Sequence, residues 1–213
     1  NLIISKDRIH GIKEAEKSKC DYIIMDDGLQ DYRIKKNVKI VCFNSNQLIG
    51  NGYILPSGPL REGISSLENV DIVIINGDKN KKFEEIIMNV NKKLKIFYSS
   101  YEPINISTFK NKELIAIAGI GNPENFFQII ENNDLLITKK ITLPDHYKFS
   151  RKKIQEIANS ALRNNCQIIM TEKDYFKIKD YKIDGIDYLK VSLKIDNEDQ
   201  LISLIKELCN ENN

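Results

Sequence analysis

Asp26 and Asp27 stand side by side where the apolar run YIIM (residues 22–25) stops, and Gly28 follows them. Like charges repel, and a strand that only had to turn could end in Asn-Gly or Pro-Gly. Two carboxylates at a strand's carboxyl end, with a glycine freeing the backbone, can hold magnesium or face a phosphate. A polar turn with both carboxylates in water accounts for the same residues. This stretch alone leaves both readings open.

Four further stretches carry residues that could do chemistry. In GNGYILPSGPLRE (residues 50–62) three glycines permit close backbone approach, and Pro56 and Pro59 stiffen the loop that delivers Arg61 and Glu62. A planar guanidinium beside a carboxylate suits phosphate recognition with an internal ion pair, or an ordered surface loop with one exposed pair. AGIGNPENF (residues 118–126) has Gly119 and Gly121 in a G-x-G spacing, but Glu124 occupies the third glycine position of a dinucleotide fingerprint. Close packing of strand on helix is the simpler role. LPDHYKFS (residues 143–150) sets Asp145 beside His146, a pairing that can tune a proton acceptor. TEKD (residues 171–174) follows an apolar run, and either faces phosphate or starts a helix capped by Thr171.

Elements must position these residues, and the hydrophobic pattern supplies them. Residues 2–4 read as a short strand, the next stretch carries Ile9, Ile12 and Ala15 at helical spacing, and residues 21–26 read as a second strand, together a βαβ unit. VKIVCF (38–43) and VDIVIIN (70–76) are continuous apolar runs of the kind found in parallel strands covered on both faces. A Lys-rich helix over 81–94 precedes an extended stretch interrupted by Pro103. A second alternation follows: strand at ELIAIAG, helix from Pro123, extended LLITKKITL, helix over 151–164, strand CQIIMT, strand YLKVSL and a final helix over 197–209. The expected fold class is α/β, with two Rossmann-like or P-loop-like three-layer α/β/α domains whose sheets are mostly parallel. The first domain covers 1–100 and is expected to be incomplete at its amino terminus. An extended linker covers 101–111 and a second α/β domain covers 112–213.

Composition limits the partners. In 213 residues, 32 Lys and Arg against 30 Asp and Glu give no global field for nucleic acid. The four cysteines are widely spaced and only two histidines occur, which argues for reduced thiols and against a structural zinc site. No run approaches the roughly 20 apolar residues of a membrane span.

Taken in order, DDGLQ, GNGYILPSGPLRE, AGIGNPENFF, PDHYKFS and TEKD resemble the tetraacyldisaccharide 4′-kinases of lipid A synthesis, over essentially the whole chain from KDRI onward. The resemblance implies a kinase at the cytoplasmic face of a Gram-negative inner membrane. It would use ATP with Mg²⁺ to phosphorylate the 4′-hydroxyl of an acylated glucosamine disaccharide 1-phosphate. By the same resemblance Asp26 and Asp27 end a Walker B strand and bind the metal, with Asp27 also organising the site. His146 with Asp145 tunes a catalytic carboxylate across a cleft between the domains. Arg8, Arg61, Glu62 and Gln30 would contact substrate.

Two departures from the family pattern matter. No G-x-x-x-x-G-K-[ST] loop occurs in these residues; in the family it lies upstream of Asn1, as do the catalytic base and the membrane-associating region. Position 31, usually His in the family, is Asp here. The chain therefore resembles the carboxyl-terminal two-thirds of a kinase. The alternative is a non-catalytic relic or substrate-binding module of the same fold.

Overall fold

The computed structural model describes residues 1–211. The chain forms two compact units, Asn1–Ser100 together with the segment from Ile195 onward, and Tyr101–Lys194. Each is built on its own four-stranded sheet.

In the first sheet, β1 (Ile40–Asn44), β2 (Ile72–Asn76) and β3 (Lys95–Pro103) run parallel in that spatial order, with β8 (Val191–Ile195) next to β3; residues 101–103 of β3 and 191–194 of β8 count with the second unit. Ile72, Val73 and Ile75 are fully buried, as a strand covered on both faces requires. One face packs on α2 (Lys81–Val90) through Val73, Ile75, Phe83 and Ile87. The other packs on α6 (Glu198–Glu211), where Leu201 meets Ile72 and Phe97. The final helix, expected with the second domain, therefore belongs to the first unit.

The second unit has the order β5-β4-β6-β7, all parallel: β5 (Leu136–Thr142), β4 (Glu113–Ala118), β6 (Cys166–Thr171) and β7 (Ile186–Leu189). Helix α3 (Pro123–Glu131) covers one face, with Phe126, Phe127 and Ile130 on Leu114, Ala116 and Ala118. Helices α4 (Arg151–Arg163) and α5 (Glu172–Ile178) cover the other, over Ile115, Ile117, Ile168 and Met170. The YLKVSL stretch, expected as one strand, is split at Lys190 between β7 and β8, which lie in different sheets. Asn105 fixes the break: its side chain donates to the Tyr188 carbonyl at 3.0 Å and accepts from the Lys190 N–H at 2.9 Å.

The expected opening βαβ unit forms only its helix. Helix α1 (Arg8–Lys17) starts at Asp7, whose carboxylate accepts from the N–H groups of Ile9 and His10. Residues 2–4 and 22–25 belong to no strand. Leu2, Ile4 and Ile24 are 87%, 89% and 94% exposed. A strand makes no hydrogen bonds within itself, and among the described residues none pairs with these runs beyond β1, the sheet edge. Apolar pattern without a partner leaves them extended but unpaired.

Candidate functional site

In the first unit the turn after residue 25 gathers the charged groups. Gly28 is buried there, and a Cβ on it would stand 2.7 Å from the Met25 Cβ, so glycine is what lets the turn close over Met25. Asp27 adopts a left-handed backbone (φ 52°). Its carboxylate accepts from Arg61 Nη1 in a short ion pair, and its carbonyl accepts from Arg8 Nη2 at 2.8 Å. Two guanidinium groups from distant parts of the chain thus converge on one residue. The Arg61 hydrogen bond holds the Asp27 carboxyl below the usual carboxylate range, and Asp27 in turn raises the proton affinity of Arg61. Asp26 beside it is exposed and has no ion pair among the described residues.

The loop of residues 50–62 is tied internally, which is what delivers Arg61 to Asp27. Leu55 N–H donates to the Leu60 carbonyl at 2.8 Å, and Asn51 Nδ2 to the Ser57 carbonyl at 2.8 Å. A Cβ on Gly58 would collide with Asn51 Oδ1 and the Tyr53 carbonyl, so this crossing tolerates only glycine. Glu62 accepts from the Tyr32 hydroxyl at 2.8 Å, which raises the Tyr32 phenol above its ordinary range. Gln30 Oε1 is buried and meets no donor. Buried acceptors are ordinarily paired, so this oxygen stands ready for one.

Asp31, where the resemblance led to an expectation of His, receives Arg33 Nε and Nη2 at 2.9 and 2.7 Å. Arg33 also reaches Asp7, the cap of α1, at 3.2 Å. A carboxylate at 31 therefore joins the site turn to the start of α1 through one arginine. Paired this way, the Asp31 carboxyl is lowered to about 2. Sequence reasoning gave Arg33 and Tyr32 no place in the site, because Arg33's bond to Asp7 and Tyr32's to Glu62 span 26 and 30 residues.

In the second unit the carboxyl ends of β4, β5 and β6 bring AGIG, PDHY and TEKD together. Gly121 faces Asp145, with its ideal Cβ position 3.6 Å from Oδ2. His146 is exposed with φ 58°, a left-handed conformation in which His is enriched several-fold among non-glycine residues. Its N–H donates to Asp145 Oδ1 at 2.8 Å, while its Nε2 stands 3.8 Å from Asp145 Oδ2. Lys173 Nζ reaches the same Asp145 Oδ1 at 3.2 Å and is the main cause of that carboxyl's lowered proton affinity. Thr171 caps α5, as one reading of TEKD had it, with its Oγ1 accepting from the Asp174 N–H at 3.2 Å.

The structure thus brings Arg8, Asp27 and Arg61 together, with Asp26 adjacent in sequence, and separately joins Glu62 to Tyr32. Asp145 and His146 lie in the other unit with Lys173. Among the described residues no group of three or more His, Cys, Asp or Glu side chains could hold a metal ion. A metal held by Asp26 and Asp27 needs ligands from a bound phosphate, which is how magnesium is commonly held.

A family model described as tetraacyldisaccharide-1-P 4′-kinase matches residues 1–210. The tetraacyldisaccharide 4′-kinase of Pelagibacter ubique is 40% identical over 208 residues, covering 96% of this chain and 66% of that protein. Its namesake in Haemophilus influenzae is 33% identical over 201 residues, covering 91% of this chain and 56% of that protein. The chain thus spans less than two-thirds of the length of these relatives. Among solved structures, "apo" form LpxK from Aquifex aeolicus in complex with ATP matches with a TM-score of 0.63 at 19% identity. That match covers 93% of this chain and 61% of the other, and shows the shared fold.

Proposed function

The chain belongs to the tetraacyldisaccharide-1-P 4′-kinase family, and from that premise we propose that it is part of a lipid kinase. The reaction moves the γ-phosphate of ATP to the 4′-hydroxyl of tetraacyldisaccharide 1-phosphate, at the cytoplasmic face of the inner membrane. The observation that carries this reading is the convergence of Arg8 and Arg61 on Asp27, beside the carboxylate of Asp26, which has no ion pair among the described residues.

Phosphoryl transfer asks little covalent chemistry of the protein and much positioning and charge neutralisation. The adjacent carboxylates are hard oxygen donors and fit Mg²⁺, with Asp26 free to ligate and Asp27 held in place by Arg61. When bound, the ion neutralises charge on the phosphate oxygens. Arg61 is a fork donor suited to a phosphate or phosphorylated sugar, and its pairing with Asp27 keeps it oriented while the site is empty of substrate. Gln30 offers a buried acceptor to a substrate hydroxyl. In the second unit, His146 with Asp145 is the proposed catalytic imidazole, its N–H held by the Asp145 carboxylate.

Nothing in the 213 residues matches the glycine-rich loop that cradles nucleotide phosphates. The second reading is a substrate-binding module of the same fold without transfer activity, and one assay separates the two. Labelled ATP and the disaccharide 1-phosphate are incubated with residues 1–213 alone and with the same residues fused to the amino-terminal third of the Pelagibacter relative. The kinase reading expects turnover only in the fusion, and its loss by at least ~100-fold on Asp26→Asn or Asp27→Asn. Near-normal turnover of both variants at saturating Mg²⁺ returns these residues to a solvated turn. A folded but inactive fusion favours the binding module.

A further inference from the structure

In the first turn of helix α5, Lys173 and Asp174 are charged side chains that serve different purposes. Asp174 is fully buried and takes three donors: Gly119 N–H at 2.6 Å, Thr171 Oγ1 at 2.9 Å and Lys177 Nζ at 2.6 Å. It fastens the start of α5 to Gly119, the residue that follows β4. Gly119 in turn lies under the loop of residues 143–147. A Cβ there would stand 3.4 Å from the Pro144 carbonyl oxygen, 3.4 Å from the Tyr147 Cβ and 3.2 Å from Asp174 Oδ1. The loop is also secured at both ends, by Leu143 N–H on the Ala118 carbonyl (2.9 Å) and by the Tyr181 hydroxyl on the Phe149 carbonyl (2.9 Å). Between these anchors, the described contact that reaches the Asp145 carboxylate from outside the loop is Lys173.

We propose that Lys173 is a positioning residue for His146. By engaging Asp145 Oδ1 it fixes the carboxylate that accepts the His146 N–H, and so holds the left-handed turn that presents the imidazole. Asp174 is the anchor that sets α5 at the right height. Freed from Lys173, the Asp145 carboxylate turns toward Nε2, now 3.8 Å away, and captures the imidazole as an ion pair. The charged group that the described contacts set against the ring is Asp145, whose Oδ2 also faces Gly121 of the β4–α3 turn. This inference rests on His146 belonging to the transfer site, and its test keeps the two ideas apart.

Lys173 is half exposed, so Lys173→Met leaves the core untouched. The chain has two histidines, and His10→Gln assigns the other by NMR. In residues 1–213, Lys173→Met is expected to shift the His146 backbone amide and ring signals, with those of His10 unmoved. Lys173→Arg restores both. In the fused kinase the same Met substitution lowers kcat about tenfold with KM for ATP within about twofold, again recovered by Arg. Unchanged His146 amide and ring signals in the Met variant overturn the proposal. A moved imidazole with unchanged kcat upholds Lys173's hold on the loop and removes His146 from the reaction.

Discussion

Asp31 shows how local chemistry fixes a carboxylate within the turn. Only 7% of its side chain is exposed, and both its oxygens take donors from Arg33. Its folded carboxyl lies at about 2, against 3.8 for a free one. A depressed carboxyl contributes stability that is complete above the unfolded value and is lost as pH falls through the folded one. The stability difference between parent and Asp31→Asn is therefore expected to be constant from neutral pH down to about 4 and to shrink toward zero near 2. Urea unfolding at a series of pH values reads this directly. A difference that fades between pH 7 and 5 would assign the effect to another group. The sequence showed an Asp at an imidazole position, but Arg33 Nη1 bridging to Asp7 depends on the turn folding back onto α1, and no local pattern encodes that return.

Among the elements, α5 is the one whose purpose is least visible in its composition. Seven residues are too few for an autonomous helix, and TEKD reads equally as cap or phosphate contact. The buried carboxylate explains its place. Asp174→Ala leaves the Gly119 N–H without its acceptor and the Lys177 ammonium without its partner, for a cost of about 3 kcal/mol. Denaturant unfolding that shows less than about 1 kcal/mol of loss would mean water replaces the carboxylate. The strands of both sheets were legible because continuous apolar runs such as IVII and LIAIA mark parallel strands buried on both faces. YIIM carries the same pattern, yet Ile24 is exposed because a strand exists only beside another. Of the candidate site, Asp27 and Arg61 were legible as types in a constrained loop. Their mutual ion pair, and the Lys173–Asp145 contact, join residues 34 and 28 positions apart and needed the fold.

For the whole molecule, the decisive helix is α6, which crosses back to the first sheet. Leu201 is 5% exposed, against Ile72 and Phe97, with Leu204 and Ile205 packed alongside. Leu201→Ala is expected to cost the first unit about 2–4 kcal/mol. Hydrogen exchange should then quicken in β1–β3 and leave the amides of β4–β7 protected. Equal loss of protection in both sheets would show that the two units unfold as one.

The return of α6 also sets an order of events in time. The second unit is spliced into the first, and its ends are close, with Glu102 and Lys194 paired at 3.0 Å. A ribosome releases residues 101–194 before the helix that covers Ile72 and Phe97. During synthesis the inserted unit can therefore complete its sheet while the unit that began earlier still lacks a layer. Vectorial synthesis here reverses the order of folding: the first unit to begin is the last to finish, and its bare sheet face is the stretch for which a nascent chain most needs a chaperone.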